Sequence, residues 1–188
     1  MIKSLYKPKN KNVENVEEEL PIELRKQRAQ HAWELLHTWK TIPRNDESGK
    51  INYYKLKDWV EKARELCRYI DRLEVCDSHI GQVFAYSLPD EDGNWPPEAI
   101  CKIVEEIGSK ELGEGFITGT LNKRGVVTKS LFEGGDQERK LVGMYNKYSQ
   151  ELAIKFPRMS AILKKIAEYY ENQAEREDKE AEKRDLEW

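Results

Sequence analysis

The stretch GEGFITGTLNKRGVVTKSLFEGGDQER, residues 113–139, decides how the rest of the chain is organised. It places six glycines and many polar groups between segments whose apolar residues recur at the three- and four-residue intervals of amphipathic helices. No other non-helical connection of comparable length follows residue 95. We therefore predict a hinge here, between a front group of packed helices and a back helical pair.

The glycine spacing in this stretch favours close helix packing over a nucleotide loop. Gly113, Gly115 and Gly119 miss the dinucleotide-binding spacing by one residue, and no strand-like run precedes them. Gly115 and Gly119 lie four residues apart, on one face of a helix, where the backbone of a neighbour can approach. Gly81, in an earlier apolar segment, would likewise admit a neighbouring backbone.

Composition restricts the class of protein and its partners. Among 188 residues, 32 Lys and Arg oppose 35 Asp and Glu, so the net charge of -3 gives no general attraction to nucleic acid or an anionic membrane. No apolar run approaches the roughly 18 residues of a membrane span, and the lysines of the N-terminus are not followed by the apolar region of a secretory signal. Three cysteines without a C-x-x-C pair suit free thiols in a reducing compartment. We expect a cytoplasmic protein with no membrane or nucleic-acid partner.

The apolar pattern predicts an all-α fold: a single compact bundle of about six helices with a glycine-rich central connection and a long charged C-terminal helix. We predict a mobile N-terminal arm at 1–20, a helical domain at 21–174 and a solvated helical extension at 175–188. A first helix over about 22–41 would bury Trp33, and a second seam would bury Trp59. Replacing either tryptophan by Ala is expected to cost roughly 3–5 kcal/mol if it is buried.

Asp77 interrupts an apolar seam that runs from Leu56 to Ser87 and predicts one very long helix or two helices with a kink between them. A carboxylate on a buried stripe needs a cation or hydrogen-bond donors. Three interpretations stay open: Asp77 is the N-cap of a helix starting at Ser78, half of a structural ion pair, or a functional carboxylate.

A polar cluster is predicted where one helix ends with Lys123, Arg124 and Gly125 and the next begins near Asp136, a good N-cap. A helix terminus fronted by two glycines offers free N–H groups to an anion, but acidic neighbours compete for them. The cluster is therefore either a structural polar hub or a binding site. The candidate binding residues are Asp77, Asn122, Lys123, Arg124, Glu133, Gly134, Gly135, Gln137, Glu138 and Arg139.

Strong signatures of catalysis, metal binding and phosphate binding do not occur in the sequence. The acidic run at 90–94 has glycine at its fourth position instead of the sixth that a calcium loop needs, so a tight turn is predicted there. His31 and His37 lie six residues apart, and neither an HExxH motif nor a G-x-x-x-x-G-K-[ST] loop is present. We predict no catalytic residue, no metal site and no cofactor.

Five segments resemble a helical module found at the C-terminal ends of large bacterial proteins of uncharacterised role. They are WELLHTWKTIP, LCRYIDRLEVCDSHIGQ, NKRGV, EGGDQER and FPRMSAILKKIAEYYENQAEREDKEAE, and the resemblance covers about residues 28–182. It implies a module that acts beside other domains, and it brings no activity, cofactor or catalytic residue.

Two functional hypotheses follow. In the first, the chain is a helical adaptor or regulatory module that contacts another protein or an adjacent domain. In the second, Asp77 and residues of the 122–139 cluster converge into a cleft that binds a small anion or a nucleotide, with hydrolysis as an option. The position of Asp77 relative to Arg124 and Arg139 separates them.

Overall fold

Every regular element of the part of the chain that the structure describes is an α-helix, as the apolar periodicity predicts. The structure is a computed structural model that describes residues 20–43, 50–130 and 133–186. Residues 1–19, which hold most of the predicted arm, lie outside that part. The helices within it are α1 (Ile22–Thr38), α2 (Tyr53–Tyr69), α3 (Leu73–Phe84), α4 (Glu98–Ile107), α5 (Lys110–Lys123), α6 (Asp136–Leu152) and α7 (Pro157–Leu186).

Helices α3 and α5 cross with their backbones in contact. A Cβ on Gly81 would overlap the carbonyl oxygen of Leu112 and lie 2.7 Å from the amide nitrogen of Phe116. A Cβ on Gly115 would in turn overlap the carbonyl of Ser78. Only glycine fits at either point, so the predicted close approach at Gly81 and at Gly115 is one and the same crossing.

The seam from Leu56 onward forms two helices, of which α2 ends at Tyr69 and α3 begins at Leu73. Asp71, between them, has φ 53, a left-handed conformation that Asp tolerates better than most residues. The chain therefore turns at 70–72. The interpretation of Asp77 as the N-cap of a helix starting at Ser78 is wrong, because Asp77 lies inside α3.

Several helices end in the cap residues that sequence rules favour. The side chains of Asn52 and Ser109 accept hydrogen bonds from the amides of Lys55 and Leu112, at 3.0 and 3.3 Å. Gly125, directly after the α5 C-cap, has φ 67. The prediction that Asp136 caps α6 is wrong by one position: Gly135 is the N-cap, with no side-chain bond.

Helices α6 and α7 form the predicted back pair, and among the described helices no other two pack against each other more extensively. Met159, Leu163 and Ile166 of α7 are fully buried. Ser149 and Ser160 donate hydrogen bonds to each other's carbonyl oxygens across the pair, at 2.9 and 2.7 Å. None of the described helices, including the 30-residue α7, combines the length and apolar content needed to cross a membrane.

Helix α1 buries less than its pattern predicts. Its single buried side chain is Ala32, whereas Trp33 is 53% exposed and stacks on His37. Trp59 is half-buried, and its ring centroid lies 5.6 Å from that of Trp39 in an edge-to-face arrangement. The expected burial of Trp33 is therefore wrong, and the cost of Trp33→Ala falls well below the figure for a buried tryptophan.

Replacing Gly115 by Ala tests the α3–α5 crossing. The added methyl meets backbone atoms of Ser78, which cannot rotate away, so we expect the free energy of unfolding in urea to fall by about 3 kcal/mol or more. Gly143→Ala is the matched control, because a Cβ on this helical glycine meets nothing within 4 Å. It should raise the stability by about 0.5–1 kcal/mol. A Gly115→Ala protein as stable as the wild type would contradict the crossing.

Candidate functional site

Glu138, in the first turn of α6, is fully buried and binds two cations. Arg124 donates to Oε1 and Lys129 to Oε2, each at 2.6 Å. The side chains of Arg124 and Lys129 are only 15% and 18% exposed, and Lys129 also lies 3.5 Å from Glu177 of α7. The network ties the end of α5 and the following connection to the start of α6.

The two cations keep Glu138 ionised despite its burial. Burial by itself raises the pKa of this carboxyl, but the hydrogen bonds from Lys129 and Arg124 outweigh it, and the pKa lies below its ordinary value. A buried ion-pair network of this kind can be replaced as a whole by apolar side chains at little cost in stability. Removing one member, in contrast, leaves the other charges buried without a partner, which is strongly destabilising. The predicted cluster is thus a coupled structural unit.

The N-terminus of α6 is covered by a carboxylate of α7. Gly134 adopts φ 61, and the N–H of Gly135 donates to Oδ1 of Asp178 at 2.9 Å. Arg139 also binds Asp178, so the pKa of Asp178 is lowered by that guanidinium and then by the Gly135 N–H. The Gly135 N–H and the Arg139 guanidinium therefore already bind a side chain of this protein, and Glu177 and Asp178 of the predicted solvated extension contact the hub.

Glu133 and Gln137 fasten the connection to α6. The amide of Gln137 donates to Oε1 of Glu133 at 2.8 Å and to the carbonyl of Thr128 at 3.1 Å. The other oxygen of Glu133 accepts from the N–H of Ser130 at 3.1 Å. Residues 126–128 form no regular element. Both predicted site residues organise the backbone around Glu138.

Asp77 does not join this hub. It is 2% exposed and accepts two hydrogen bonds from Arg64 of α2, Nε to Oδ1 at 2.8 Å and an NH2 group to Oδ2 at 3.2 Å. Of the three interpretations of Asp77, the structural ion pair is the one observed. The expected convergence of Asp77 with Arg124 or Arg139 is wrong, because its cation comes from thirteen residues earlier in the chain.

An aromatic cleft of about 300 Å³ opens beside the hub. Its walls come from the α3–α4 connection, the end of α5 and one face each of α6 and α7. They are formed by Pro89, Trp95, Thr120, Lys123, Arg124, Leu141, Met144, Tyr145, Tyr148 and Tyr170. Arg124 belongs to both structures, so the ion-pair network fixes one wall of the cleft.

The floor of the cleft is a rigid set of rings. The Trp95 ring centroid lies 6.0 Å from that of Tyr145 and 5.8 Å from that of Tyr148, and Tyr145 stacks on Tyr170 at 5.8 Å. The indole N–H of Trp95 donates to the carbonyl of Ser87 at 3.1 Å. Trp95, Tyr145 and Tyr170 are buried, whereas Tyr148 is half-buried and Met144 is exposed at the rim. The opening is therefore apolar.

Two cations lie over this floor, and only one of them is neutralised. Arg124, which binds Glu138, has its guanidinium carbon 5.3 Å from the Tyr170 ring centroid, and the Lys123 ammonium lies 5.8 Å from that of Trp95. Within residues 20–43, 50–130 and 133–183, Lys123 forms no ion pair, and its one hydrogen bond goes to the carbonyl of Ala85 at 3.5 Å. The surrounding walls remove water and lower the pKa of Lys123.

A second, more polar cleft of about 330 Å³ lies between the connection and α7. Lys129, Glu138 and Glu177 line it, together with Val127 and Gln173. Lys129, the cation among these residues, forms ion pairs with both Glu138 and Glu177. An incoming anion would therefore find the lysine of this cleft already neutralised.

The sequence identified the hub more fully than the cleft. Tyr145 and Tyr170 are buried, as expected for residues on the apolar faces of α6 and α7, and the helical pattern gives no sign of the opening that they line. Arg64, Glu177 and Asp178 were not identified as site residues. Alternating charges on a helix face are usually solvated, so nothing in the local pattern separates these two acids from their neighbours.

Comparisons of the chain with protein-family models, curated proteins and solved structures found no match. No group of three or more His, Cys, Asp or Glu side chains that could hold a metal ion occurs in the described ranges. The hub and the cleft are thus the features from which a function can be inferred.

Replacing Glu138 by Gln tests the hub. The change leaves Arg124 and Lys129 without their carboxylate, so we expect the free energy of unfolding to fall by about 3–5 kcal/mol at pH 7. Because the pKa of Glu138 is lower in the folded protein, its contribution is complete above the unfolded value of about 4.3 and is lost as the pH falls through the folded value. The difference between the two proteins should narrow below about pH 4.

Glu151→Gln on the same helix is the matched control. Glu151 is half exposed and lies 3.8 Å from Lys147, so its loss should change the stability by less than about 0.5 kcal/mol. Equal effects of the two substitutions in chemical unfolding at pH 7 would mean that Glu138 is not the centre of a buried network.

Proposed function

We propose that this chain is a helical adaptor or regulatory module that binds another protein or an adjacent domain through the aromatic cleft. The observation that carries the proposal is the open aromatic cleft with an unneutralised lysine at its edge. Aromatic residues, Met and Arg are enriched where proteins bind one another, and Met144, Tyr148 and Arg124 line this cleft together.

The rigidity of the cleft supports a binding role. Trp95, Tyr145 and Tyr170 are held by ring packing and helix contacts, so a partner would not have to order them. Binding to a surface that is already ordered avoids the entropy loss of fixing side chains. Only the rim residues, Met144 and Tyr148, would need to adjust.

The setting of the module is part of the proposal. The resemblance of five of its segments to modules at the ends of large bacterial proteins implies a module that acts beside other domains, so the partner is an adjacent domain or another protein. Cys67, Cys76 and Cys101 are buried free thiols, which suits a reducing compartment such as the cytoplasm.

The alternative function, binding of a small anion or a nucleotide at the hub, has less geometric support. Arg124 and Lys129 bind Glu138, and Arg139 and the Gly135 N–H bind Asp178. A phosphate would have to displace these internal carboxylates. Calorimetric titration with ATP tests the alternative, and saturable binding that Arg139→Ala abolishes would favour it over the adaptor function.

Site-specific photo-cross-linking in a lysate of the native host tests the adaptor function. The photoreactive residue p-benzoylphenylalanine is placed at position 144 of the full chain, at the rim of the cleft, and a second protein carries it at position 154. Ile154 is 99% exposed and does not line the cleft, so it is the matched control. We expect a discrete protein adduct from position 144 alone. Adducts of equal yield from both positions, or none from position 144, would contradict the proposal.

A further inference from the structure

We infer that the occupant of the aromatic cleft is a short acidic peptide segment, which buries one bulky apolar side chain among the rings and places a carboxylate against Lys123. The inference rests on the proposed function and adds the chemistry of the partner. It follows from the size of the cleft, from its unpaired cation and from the exclusion of other ligand classes by its charges.

The size of the cleft suits a single anchor side chain. Its volume of about 300 Å³ lies at the lower end of the range for ligand pockets. Leu141, Met144 and Tyr148 supply apolar surface at the opening, and Trp95 and Tyr145 lie beneath. An aromatic or large aliphatic side chain would bury this surface without any change in the backbone.

The charge of the cleft favours an acidic residue next to the apolar anchor side chain in the bound peptide. Lys123 has no acidic partner in the described residues. The cleft walls keep water from its ammonium group and thereby lower its pKa. A carboxylate from outside would supply the missing partner and raise that pKa. Asp90, in the adjacent connection, does not pair with Lys123. Its Oδ1 accepts hydrogen bonds from the N–H groups of Asp92 and Asn94 at 3.1 and 2.8 Å instead.

The same groups disfavour other occupants. A methylated lysine or another cationic ligand needs free aromatic faces, but Lys123 and Arg124 already lie over Trp95 and Tyr170 and would repel it. A nucleic acid requires several unpaired cations along its backbone. Arg124, Lys129 and Arg139 all bind acidic side chains, so Lys123 is the one unpaired cation among those of the hub and the aromatic cleft.

Peptide selection on the full chain tests the inference. A phage library of random twelve-residue peptides is selected on the immobilised protein, and enriched peptides are made with a fluorescent label for anisotropy titrations. We expect the enriched peptides to share a bulky apolar residue with Asp or Glu within two positions of it. Their Kd should rise at least about tenfold with Lys123→Glu.

Lys110→Glu is the matched control, since Lys110 lies on the same helix, is 76% exposed and does not line the cleft. It should leave the Kd within about twofold of the wild-type value. Circular dichroism and the urea midpoint of each variant show that the fold is kept.

Three results would overturn the inference: a basic or uncharged consensus, equal binding by the Lys123→Glu protein, or no enriched peptide. A different result would separate the two proposals: apolar peptides bind, Met144→Glu weakens their binding and Lys123→Glu does not change it. In that case the acidic residue of the partner is refuted, whereas the adaptor function is retained. Cross-linking from position 144 reports on protein contacts independently, so failure of both experiments marks failure of the proposed function itself.

Discussion

At the crossing of α3 and α5 the two backbones touch, with no side chain between them, because Gly81 faces Leu112 and Gly115 faces Ser78. Gly119 extends the contact to Gln82 and the methyl group of Ala85. The end of α5 is thereby held against the connection that follows α3, so that Lys123 reaches the carbonyl of Ala85 and lies over Trp95. One wall of the cleft thus follows from three glycines.

A network of buried charges fixes Arg124, the next residue at the same end of α5. Glu138 joins the end of α5 and the connection to α6, while Asp178 of α7 covers the first turn of α6. Such networks add little net stability compared with apolar packing, but they penalise every arrangement that leaves one member unpaired. In this protein they also neutralise the cations of the hub. Among Lys123, Arg124, Lys129 and Arg139, the cations of the hub and the cleft, Lys123 is the one without a carboxylate partner in the described residues, and this difference separates the structural hub from the binding cleft.

The part of the structure that the sequence could predict is the part governed by local rules. Apolar periodicity identified the helices, and Asn52, Ser109 and Gly125 are cap residues of the types that local sequence rules favour. Gly115 and Gly119 were identified as a close-packing face because their spacing depends only on the helix period. Partners across the fold could not be found in this way: Asp77 has its cation on α2, and Asp178 meets Gly135 only after α7 folds back along α6. The cleft is likewise a property of the assembled helices, since Trp95 and Tyr148 lie far apart in the chain.

The close crossing of α3 and α5 is the central claim, and a nuclear Overhauser spectrum of the isotopically labelled full chain tests it directly. A Cβ on Gly115 would lie 2.8 Å from the Cα of Ser78, so the α protons of these two residues must be neighbours. We expect a cross-peak between them. Its absence from a spectrum in which both residues are assigned and sequential cross-peaks are strong would mean that the helices are separated by side chains, and neither the crossing nor the cleft beside it would exist as described.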